Sequence, residues 1–505
     1  MLHETSSTPR SSQDHAGPVV VPSRWLGWAV VAASCAAFAL VSWRLRGYVA
    51  DDSWISVRYA ENLARGDGAV WNPGGPSVEG FSNPLLVYLE ALADAVGWSA
   101  LSAARAIGVA SGLACVVLVY RAGRAVAGET AAMTGALLTG VSAPFALWAV
   151  GGLETTVTAA VLTAAVLQVA RPGGGRPVVA GALLALLPWL RPEGLVVALA
   201  VAVLGEGFAV LRRPTRRRAL RRLTLVAGLP VLSQALLEVV RLTVYGHLLP
   251  NSALYKSGTG GVIEVAFKFV EHSGVVLVLA GTGLLVSRGR QLLLAVPALV
   301  YLVGSINTLD SANAYSRFFM PVWPQVALLA GLTVATVAAG AGRRQGAAAA
   351  ACLAGLGALL SVSVMRGSLP EVDDWQDGYM ACSAGAREDV ASWLVQNTSR
   401  DTSFAISDAG LVPARAGGRP AIDNFLLNDP LIQETGPLGP QERADIVHDR
   451  RPDVLVLASR DAERFDAVYA TGEAIYSDPR TRDFELAHVS SGGASCDYHL
   501  RVYRR

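Results

Sequence analysis

Apolar runs of membrane length recur between residues 25 and 365, and they most constrain what the chain can fold into. A helix needs about 20 apolar residues to cross the hydrocarbon core of a bilayer, because each residue adds about 1.5 Å. Runs of this kind lie near residues 25–43, 103–120, 130–150, 153–170, 178–190, 191–210, 223–244, 272–287, 291–306, 317–340 and 347–365. They predict about eleven transmembrane helices, and hence a polytopic α-helical membrane protein.

The composition supports this class. Only 16% of the 505 residues are charged and 52% are hydrophobic, whereas a soluble domain contains about 25% charged residues. Residues 1–24 are rich in Ser, Thr and Pro, which predicts a disordered cytoplasmic tail. The run 25–43 is too long for the core of a signal peptide and has no convincing cleavage site, so we predict a retained membrane anchor.

The arginines predict the orientation in the membrane, because cytoplasmic loops are enriched in Lys and Arg. With a cytoplasmic N-terminus, the strongly basic loops all fall inside: Arg121 and Arg124, Arg171 and Arg176, residues 211–222, Arg288 and Arg290, and Arg343 and Arg344. We therefore predict a multi-pass protein of the plasma membrane. The cluster at 211–222 is interpreted as a topology determinant and not as a nucleic-acid site.

The same orientation places the loop 48–102, the loops near 151–154, 245–256 and 307–317, and everything after residue 366 outside the cell. A transmembrane domain is predicted over 25–365. After residue 366 the apolar runs shorten to strand length and charged residues return, which predicts an extracytoplasmic α/β domain over 366–505. The expected strands are TSFAIS, RPAIDNF, PDVLVLA, FELAHVS and HLRVYRR, with helices at 385–397 and 440–450.

Cys382 and Cys496 both fall in this extracytoplasmic part, where disulfides form. We predict a disulfide between them, with two unpaired thiols as the alternative. Four polar residues lie at the expected strand ends or turns, where Asp and Asn are common for backbone reasons. We predict that these residues have structural roles, with acceptor binding as the alternative. They are Asp408, Asp423, Asn428 and Asp429.

Two adjacent carboxylates, Asp51 and Asp52, begin the first external loop. The apolar residues from Ser53 to Arg65 recur at helical spacing, which predicts an amphipathic helix on the membrane surface. A carboxylate beside a low-dielectric wall tends to persist only where it works or is paired. Asp51, with Asp52 as second choice, is therefore a candidate general base for an acceptor hydroxyl. The alternative is that Asp52 or Ser53 caps the helix.

The other external loops supply further charges. Arg191, Lys256 and Arg317 are candidates to stabilise a leaving phosphate, and the alternative for each is a side chain that extends to the membrane interface. Glu79, Glu154 and Glu193 either orient sugar hydroxyls or pair with arginines. The chain contains no Walker A loop, Rossmann fingerprint, HExxH or GxSxG motif. A soluble nucleotide-sugar enzyme is therefore disfavoured, and the donor should be carried by a lipid.

Several motifs form one pattern: DDSWISVRYAENLARGDGAVWNPGGPSVEGFSNP (51–84), GLE (152–154), RPEG (191–194), YGHLLPNSALYK (245–256) and YSRFFMPVWP (315–324). The pattern resembles the GT-C superfamily of integral membrane glycosyltransferases. Within it the closest match is to the terminal arabinofuranosyltransferases of mycobacterial cell-wall assembly and their uncharacterised relatives. SDAG and GRPAIDN extend the resemblance more loosely into the external domain.

This resemblance implies a polyprenyl-phosphate sugar donor, an external active site and a catalytic acid at Asp51 or Asp52. It also implies that the motif residues bind substrate: Arg58, Glu79, Asn83, Glu154, Arg191, Glu193, His247, Asn251, Lys256 and Arg317. We expect transfer of arabinofuranose from the lipid to a cell-envelope glycan. The alternative is a non-catalytic membrane scaffold of envelope or motility machinery. No metal site is indicated, and a divalent cation stays open.

Overall fold

The computed structural model describes residues 24–210, 216–256, 262–304, 310–340, 379–490 and 496–505, with Ala348 and Gly355. The predicted tail before residue 24, the basic pair Arg343 and Arg344, and nearly all of the predicted span 347–365 lie outside these residues.

Up to residue 340 the described residues are mainly helical. The helices are α1 (Arg24–Arg44), α2 (Asp51–Arg65), α3 (Pro84–Ala95), α4 (Ala100–Ala127), α5 (Glu129–Gly140), α6 (Ala143–Val150), α7 (Thr155–Ala170), α8 (Pro177–Leu184), α9 (Leu187–Leu190), α10 (Gly194–Val210), α11 (Arg216–Val244), α12 (Asn251–Lys256), α13 (Val262–Val286), α14 (Val296–Gly304) and α15 (Trp323–Gly340). Two 3₁₀ segments, Gly289–Leu294 and Asp310–Val322, precede α14 and α15.

Long apolar helices make this a membrane protein. Within the described residues, four helices are long and apolar enough to cross a bilayer, namely Trp25–Arg44, Ala100–Ala127, Arg216–Val244 and Ser316–Gly340. The bent pair α5 and α6 adds a fifth if it is one span. Other apolar helices are shorter, so the count of eleven spans stays a prediction.

The predicted span 130–150 is divided into α5 and α6, which meet at 57°. Pro144 lies in the first turn of α6, where its missing N–H removes no helical hydrogen bond. Ser142 caps that turn by accepting a hydrogen bond from the Phe145 N–H at 3.4 Å. A proline-started helix therefore replaces the continuous span that hydropathy alone predicted.

Small residues let the membrane helices approach closely. Helix α15 packs on α5 and α13, and α4 packs on α5 and α7. A Cβ at Gly331 of α15 would lie 2.2 Å from the carbonyl oxygen of Ala131 in α5. Such contacts between backbones are the usual means by which membrane helices pack, because water-driven burial does not operate inside lipid.

The C-terminal part is an α/β unit. Its strands are β1 (Phe404–Ile406), β2 (Ala421–Asp423), β3 (Val454–Ser459), β4 (Glu485–Val489) and β5 (His499–Arg504), in the order β2-β1-β3-β5-β4. β1 is parallel to β2 and β3, whereas β5 is antiparallel to β3 and β4. Its helices are α16 (Gly385–Asn397), α17 (Leu411–Arg415), α18 (Leu431–Thr435), α19 (Pro440–Asp449) and α20 (Ala470–Ser477), with a π-helical turn at Tyr379–Ala384 and a 3₁₀ turn at Pro479–Asp483.

Helix α2 lies between these two parts, and the predicted membrane-surface position is wrong. Trp54, Ile55 and Tyr59 are buried in one apolar cluster with Val390 of α16 and Leu411 of α17. Helical periodicity identifies an apolar face, but it does not show whether lipid or protein covers that face. Here the C-terminal part covers it.

Cys382 and Cys496 are joined by a disulfide with Cα atoms 5.4 Å apart. The bond ties the turn before α16 to the segment before β5. Replacing both with Ser should destabilise the C-terminal part by about 2–5 kcal/mol, because the crosslink restricts the unfolded chain. The measurement is the apparent unfolding temperature in detergent, with Cys35→Ser as the control. Equal unfolding temperatures for the double variant and the wild type would contradict the expectation.

Candidate active site

A cavity of about 530 Å³ opens where α2 meets the C-terminal sheet. Parallel strands bring their carboxyl ends to one edge of a sheet, and ligand sites form there. Asp408 and Asp423 come from the ends of β1 and β2, and both face the cavity. Asp51 and Asp52 at the start of α2, and Arg317 from the 3₁₀ segment, also line it. The cavity therefore joins the two parts of the chain.

Asp51 is held at this junction by the C-terminal part. Its Oδ1 accepts a hydrogen bond from the Leu411 N–H at 3.0 Å and lies 3.6 Å from Arg387 Nε. Gly410 is required here, because a Cβ would lie 2.2 Å from the Asp51 carbonyl oxygen. Burial raises the pKa of Asp51, and Arg387 opposes that rise while Asp408 adds to it. The side chain keeps 21% of its exposure and can still reach the cavity.

Asp52 is the more open of the two carboxylates, with 43% of its side chain exposed. Its Oδ2 accepts a hydrogen bond from Arg317 at 2.9 Å. The helix begins after Ala50, and no side chain caps it. The Ser53 hydroxyl instead donates to the Ala50 carbonyl oxygen at 2.6 Å. The capping alternative for Asp52 and Ser53 is therefore wrong.

Arg317 brings a cation to the membrane side of the cavity. Its guanidinium carbon lies 5.5 Å from the Trp148 ring centroid and 5.7 Å from that of Phe318. Its Nε is buried and has no hydrogen-bond partner among the described residues. Ser316, directly before it, adopts a left-handed φ of 58°, a strained backbone of the kind that clusters at functional sites. A buried cation beside a carboxylate suits an anionic ligand.

A second group of residues that the sequence predicted to bind substrate lies next to Asp52 and Arg317. Arg191 donates to Glu154 at 2.8 Å and also pairs with Glu193. Asn83 donates to the other oxygen of Glu154 at 3.1 Å. A small pocket lined by Asp52, Asn83, Glu154 and Arg317 connects the two groups. The lining of the larger cavity itself includes none of Asn83, Glu154, Arg191 and Glu193.

Glu79, His247 and Asn251 gather elsewhere, along a separate small pocket. Glu79 forms a buried ion pair with Arg241, at 2.9 and 3.2 Å, and burial raises its pKa. Asn251 donates to the carbonyl oxygens of Leu427 and Asp429 at 3.0 and 2.8 Å. These contacts attach the loop after α11 to the C-terminal part. The Lys256 side chain lies outside the described residues.

Arg58 also lies away from the cavity. Its guanidinium donates to the carbonyl oxygens of Trp71 at 2.8 Å, Arg419 at 3.2 Å and Pro413, and to Asn72 Oδ1 at 2.9 Å. The buried charge is thus satisfied by backbone groups of the loop and of the C-terminal part. We infer that Arg58 joins the two parts of the chain.

Arg387, Tyr469 and Arg443 line the cavity but were not singled out from the sequence. Arg387 Nε donates to Asp408 at 3.2 Å, and Tyr469 donates to the other oxygen of Asp408 at 3.1 Å. Asp408 itself was predicted to be structural, and Arg443 was not considered. The sequence SDAG, directly after the short β1, could have indicated this site, because ligands bind at the carboxyl ends of parallel strands.

Asp423 gives a prediction for pH dependence. It accepts hydrogen bonds from the Phe425 N–H at 2.9 Å and from Asn428 at 3.1 and 2.9 Å, yet burial raises its pKa to about 6. A raised pKa means that the folded protein binds the proton more tightly, so stability from this group is complete at low pH and is lost as pH rises towards 6. The loss amounts to about 3 kcal/mol.

The measurement compares apparent unfolding temperatures of wild type and Asp423→Asn between pH 4 and pH 7. Because Asn does not titrate, the wild type should lose stability relative to the variant as pH rises. Parallel curves would show that Asp423 does not titrate in this range.

Within the described part of the chain, no group of three or more His, Cys, Asp or Glu side chains is placed to hold a metal ion. The cavity combines the partly buried Asp51, with Arg387 beside it, and the more exposed Asp52, with Arg317 beside it. Such a set can take a proton from a hydroxyl and stabilise a leaving anion.

Residues 377–503 match a family model described as a domain of unknown function, DUF8728. None of the curated proteins matches the chain in sequence. The structure resembles ArnT from Cupriavidus metallidurans bound to undecaprenyl phosphate, with a TM-score of 0.57 and 15% identity over 96% of this chain and 98% of ArnT. It also resembles the oligosaccharyltransferase AglB from Archaeoglobus fulgidus in complex with an inhibitory peptide and a dolichol-phosphate, with a TM-score of 0.56 and 13% identity over 86% of this chain and 69% of AglB.

These likenesses establish the fold. The chain has the fold of GT-C membrane glycosyltransferases, and the resemblance drawn from its motifs is confirmed at that level.

Proposed function

We propose that the chain transfers a sugar from a polyprenyl phosphate to a cell-envelope glycan at the outer face of the membrane. ArnT and AglB, which share its fold, were solved with undecaprenyl phosphate and a dolichol-phosphate. Both ligands are long isoprenoid chains that end in a phosphate. The fold is thus compatible with a donor whose lipid stays in the bilayer while its sugar reaches the cavity.

The observation that carries the proposal is the meeting of Asp51, Asp52 and Arg317 in one cavity beside the membrane helices. The carboxylates come from the first external loop, and the cation comes from a segment 265 residues later in the chain. A general base and a phosphate-binding cation are the two groups that transfer from a lipid phosphate requires.

In the proposed reaction, an acceptor hydroxyl oxygen attacks the anomeric carbon of the donor sugar, and its proton passes to Asp51. The bond between the anomeric carbon and the phosphate oxygen breaks, and the polyprenyl phosphate leaves with the electron pair. Arg317 stabilises the charge that develops on this leaving group. Asp52 holds Arg317 in place, as their contact at 2.9 Å indicates.

Two parts of the proposal rest on the sequence. Arabinofuranose as the sugar rests on the motif resemblance, and the outer face rests on the distribution of arginines. Protease added to intact cells should cleave within the C-terminal part if that part is external. Complete protection would contradict this orientation.

The direct test uses purified protein in lipid nanodiscs with polyprenyl-phosphate arabinofuranose and an arabinan acceptor. Consumption of the lipid-linked sugar with matching product formation is expected, and other polyprenyl-phosphate sugars define the choice of donor. If none of these donors is consumed, the catalytic proposal fails and the scaffold alternative is favoured.

A further inference from the structure

The C-terminal half of the cavity contains a cluster of aromatic rings that the reaction above does not use. The Phe425 centroid lies 5.7 Å from Tyr255 and 5.3 Å from Tyr469, and the Arg443 guanidinium carbon lies 5.2 Å from the same ring. All four residues line the cavity and are only partly buried. Partly exposed aromatic surface in a concave site is typical of ligand binding.

The backbone holds Phe425 firmly in this position. Leu426 has a left-handed φ of 60°, which is unfavourable for a leucine, and its neighbours Phe425 and Leu427 both line the cavity. Asp423 fixes the same turn by accepting hydrogen bonds from the Phe425 and Asn428 N–H groups. Strain that is held in place by surrounding contacts is a mark of functional sites.

The lining carries both signs of charge. Asp408 is met by Arg387 at 3.2 Å and by the Tyr469 hydroxyl. Asp423 and Arg443 add one charge of each sign, and with Asp51, Asp52 and Arg317 the lining has four carboxylates and three guanidinium groups. Such a site offers both hydrogen-bond acceptors and donors to a neutral ligand. Sugars match this surface, since they present a C–H face to an aromatic ring and hydroxyls to carboxylates and guanidinium groups.

We propose that Tyr255, Phe425, Tyr469 and Arg443 form the acceptor subsite and bind a neutral oligosaccharide, with one sugar ring packed on Phe425. The proposal rests on the transfer function above, because it assigns the second substrate of the same cavity. It places the acceptor hydroxyl towards Asp51, which lies 3.6 Å from the same Arg387 that donates to Asp408. A peptide acceptor is disfavoured, because the outer edge of β2 is occupied at Ala421, whose N–H and carbonyl oxygen both pair with the Asn72 side chain.

The test compares Phe425→Leu and Phe425→Tyr with the wild type in nanodiscs. Loss of the ring should raise the acceptor KM about 10-fold, leave the donor KM unchanged, and be rescued by Tyr. The matched control is Tyr476→Ala, which removes an aromatic ring of the same part of the chain that does not line the cavity. An unchanged acceptor KM in Phe425→Leu would overturn the subsite.

Binding without turnover separates this proposal from the transfer function. Saturation-transfer NMR would use oligosaccharides of arabinofuranose, galactofuranose, mannose and glucose, and an Asn-containing peptide. Binding of an oligosaccharide to the wild type, with loss in Phe425→Leu, supports the subsite even if no donor is consumed. Binding of none of the sugars, or of the peptide alone, overturns it even if donor is consumed.

Discussion

Replacing Asp51 with Asn should lower the rate of sugar transfer about 10²- to 10⁴-fold, the usual contribution of a general base. The amide keeps the size of the carboxylate and can still accept the hydrogen bond from the Leu411 N–H. It cannot take a proton from the acceptor hydroxyl. The expected change is therefore a loss of kcat with a nearly unchanged donor KM, in a protein that still elutes as a folded species.

The pH profile provides an independent readout of the same role. Because burial raises the pKa of Asp51, the wild-type rate should fall as pH decreases through this raised value, where the base becomes protonated. Asp51→Asn should remove this acidic limb from its residual rate. A residue that only supports the fold would change the rate without changing the shape of the profile.

The control is Asp67→Asn, the same chemical change in the same external loop but outside the cavity. Asp67 pairs only loosely with Arg65, at 3.5 Å, so near-wild-type transfer is expected. If Asp51→Asn keeps more than about a tenth of the rate while Asp52→Asn loses both the rate and the acidic limb of the pH profile, the base is Asp52. Full activity in both variants would remove the mechanism.

The sequence predicted the helices better than their packing. Hydropathy located the apolar runs, because burial in lipid depends on local composition. It did not predict the bend between α5 and α6, where Pro144 starts a new helix. Periodicity located α2 but not its burial, because the groups that cover its polar face come from a distant part of the chain. Arg58, for example, contacts Pro413, 355 residues later.

The same limit applies to the candidate site, where the sequence predicted some residues and not others. Asp51, Asp52 and Arg317 were found because charged residues beside apolar runs are conspicuous. Arg387 and Tyr469 were missed because they lie in ordinary-looking segments, and only the folded chain brings them to Asp408 and Asp51. Glu79 was found for the same reason as Asp51, yet its partner Arg241 places it elsewhere. Sequence identifies unusual charges, whereas contacts across hundreds of residues decide which of them meet.

Replacing Arg317 with Gln should reduce transfer about 10²- to 10³-fold, as expected for removal of one group that stabilises developing charge. Gln keeps a hydrogen-bond donor for Asp52 but carries no charge for the phosphate. Arg317→Lys should recover part of the rate, since it restores the charge without the planar guanidinium. Arg65→Gln is the control, because Arg65 is exposed and lies outside the cavity.

A double-variant cycle with Asp52→Asn separates phosphate binding from a purely structural ion pair. If Arg317 only pairs with Asp52, the second substitution should cost almost nothing once the first is made, because the ion pair at 2.9 Å is already lost. If Arg317 binds the donor phosphate, Arg317→Gln should still lower kcat/KM for the donor in the Asp52→Asn background. The acceptor KM should stay unchanged in both backgrounds, because neither Arg317 nor Asp52 belongs to the proposed acceptor subsite. Loss of the Arg317 effect in the double variant would therefore assign the cation to the fold and leave the leaving phosphate without its proposed partner.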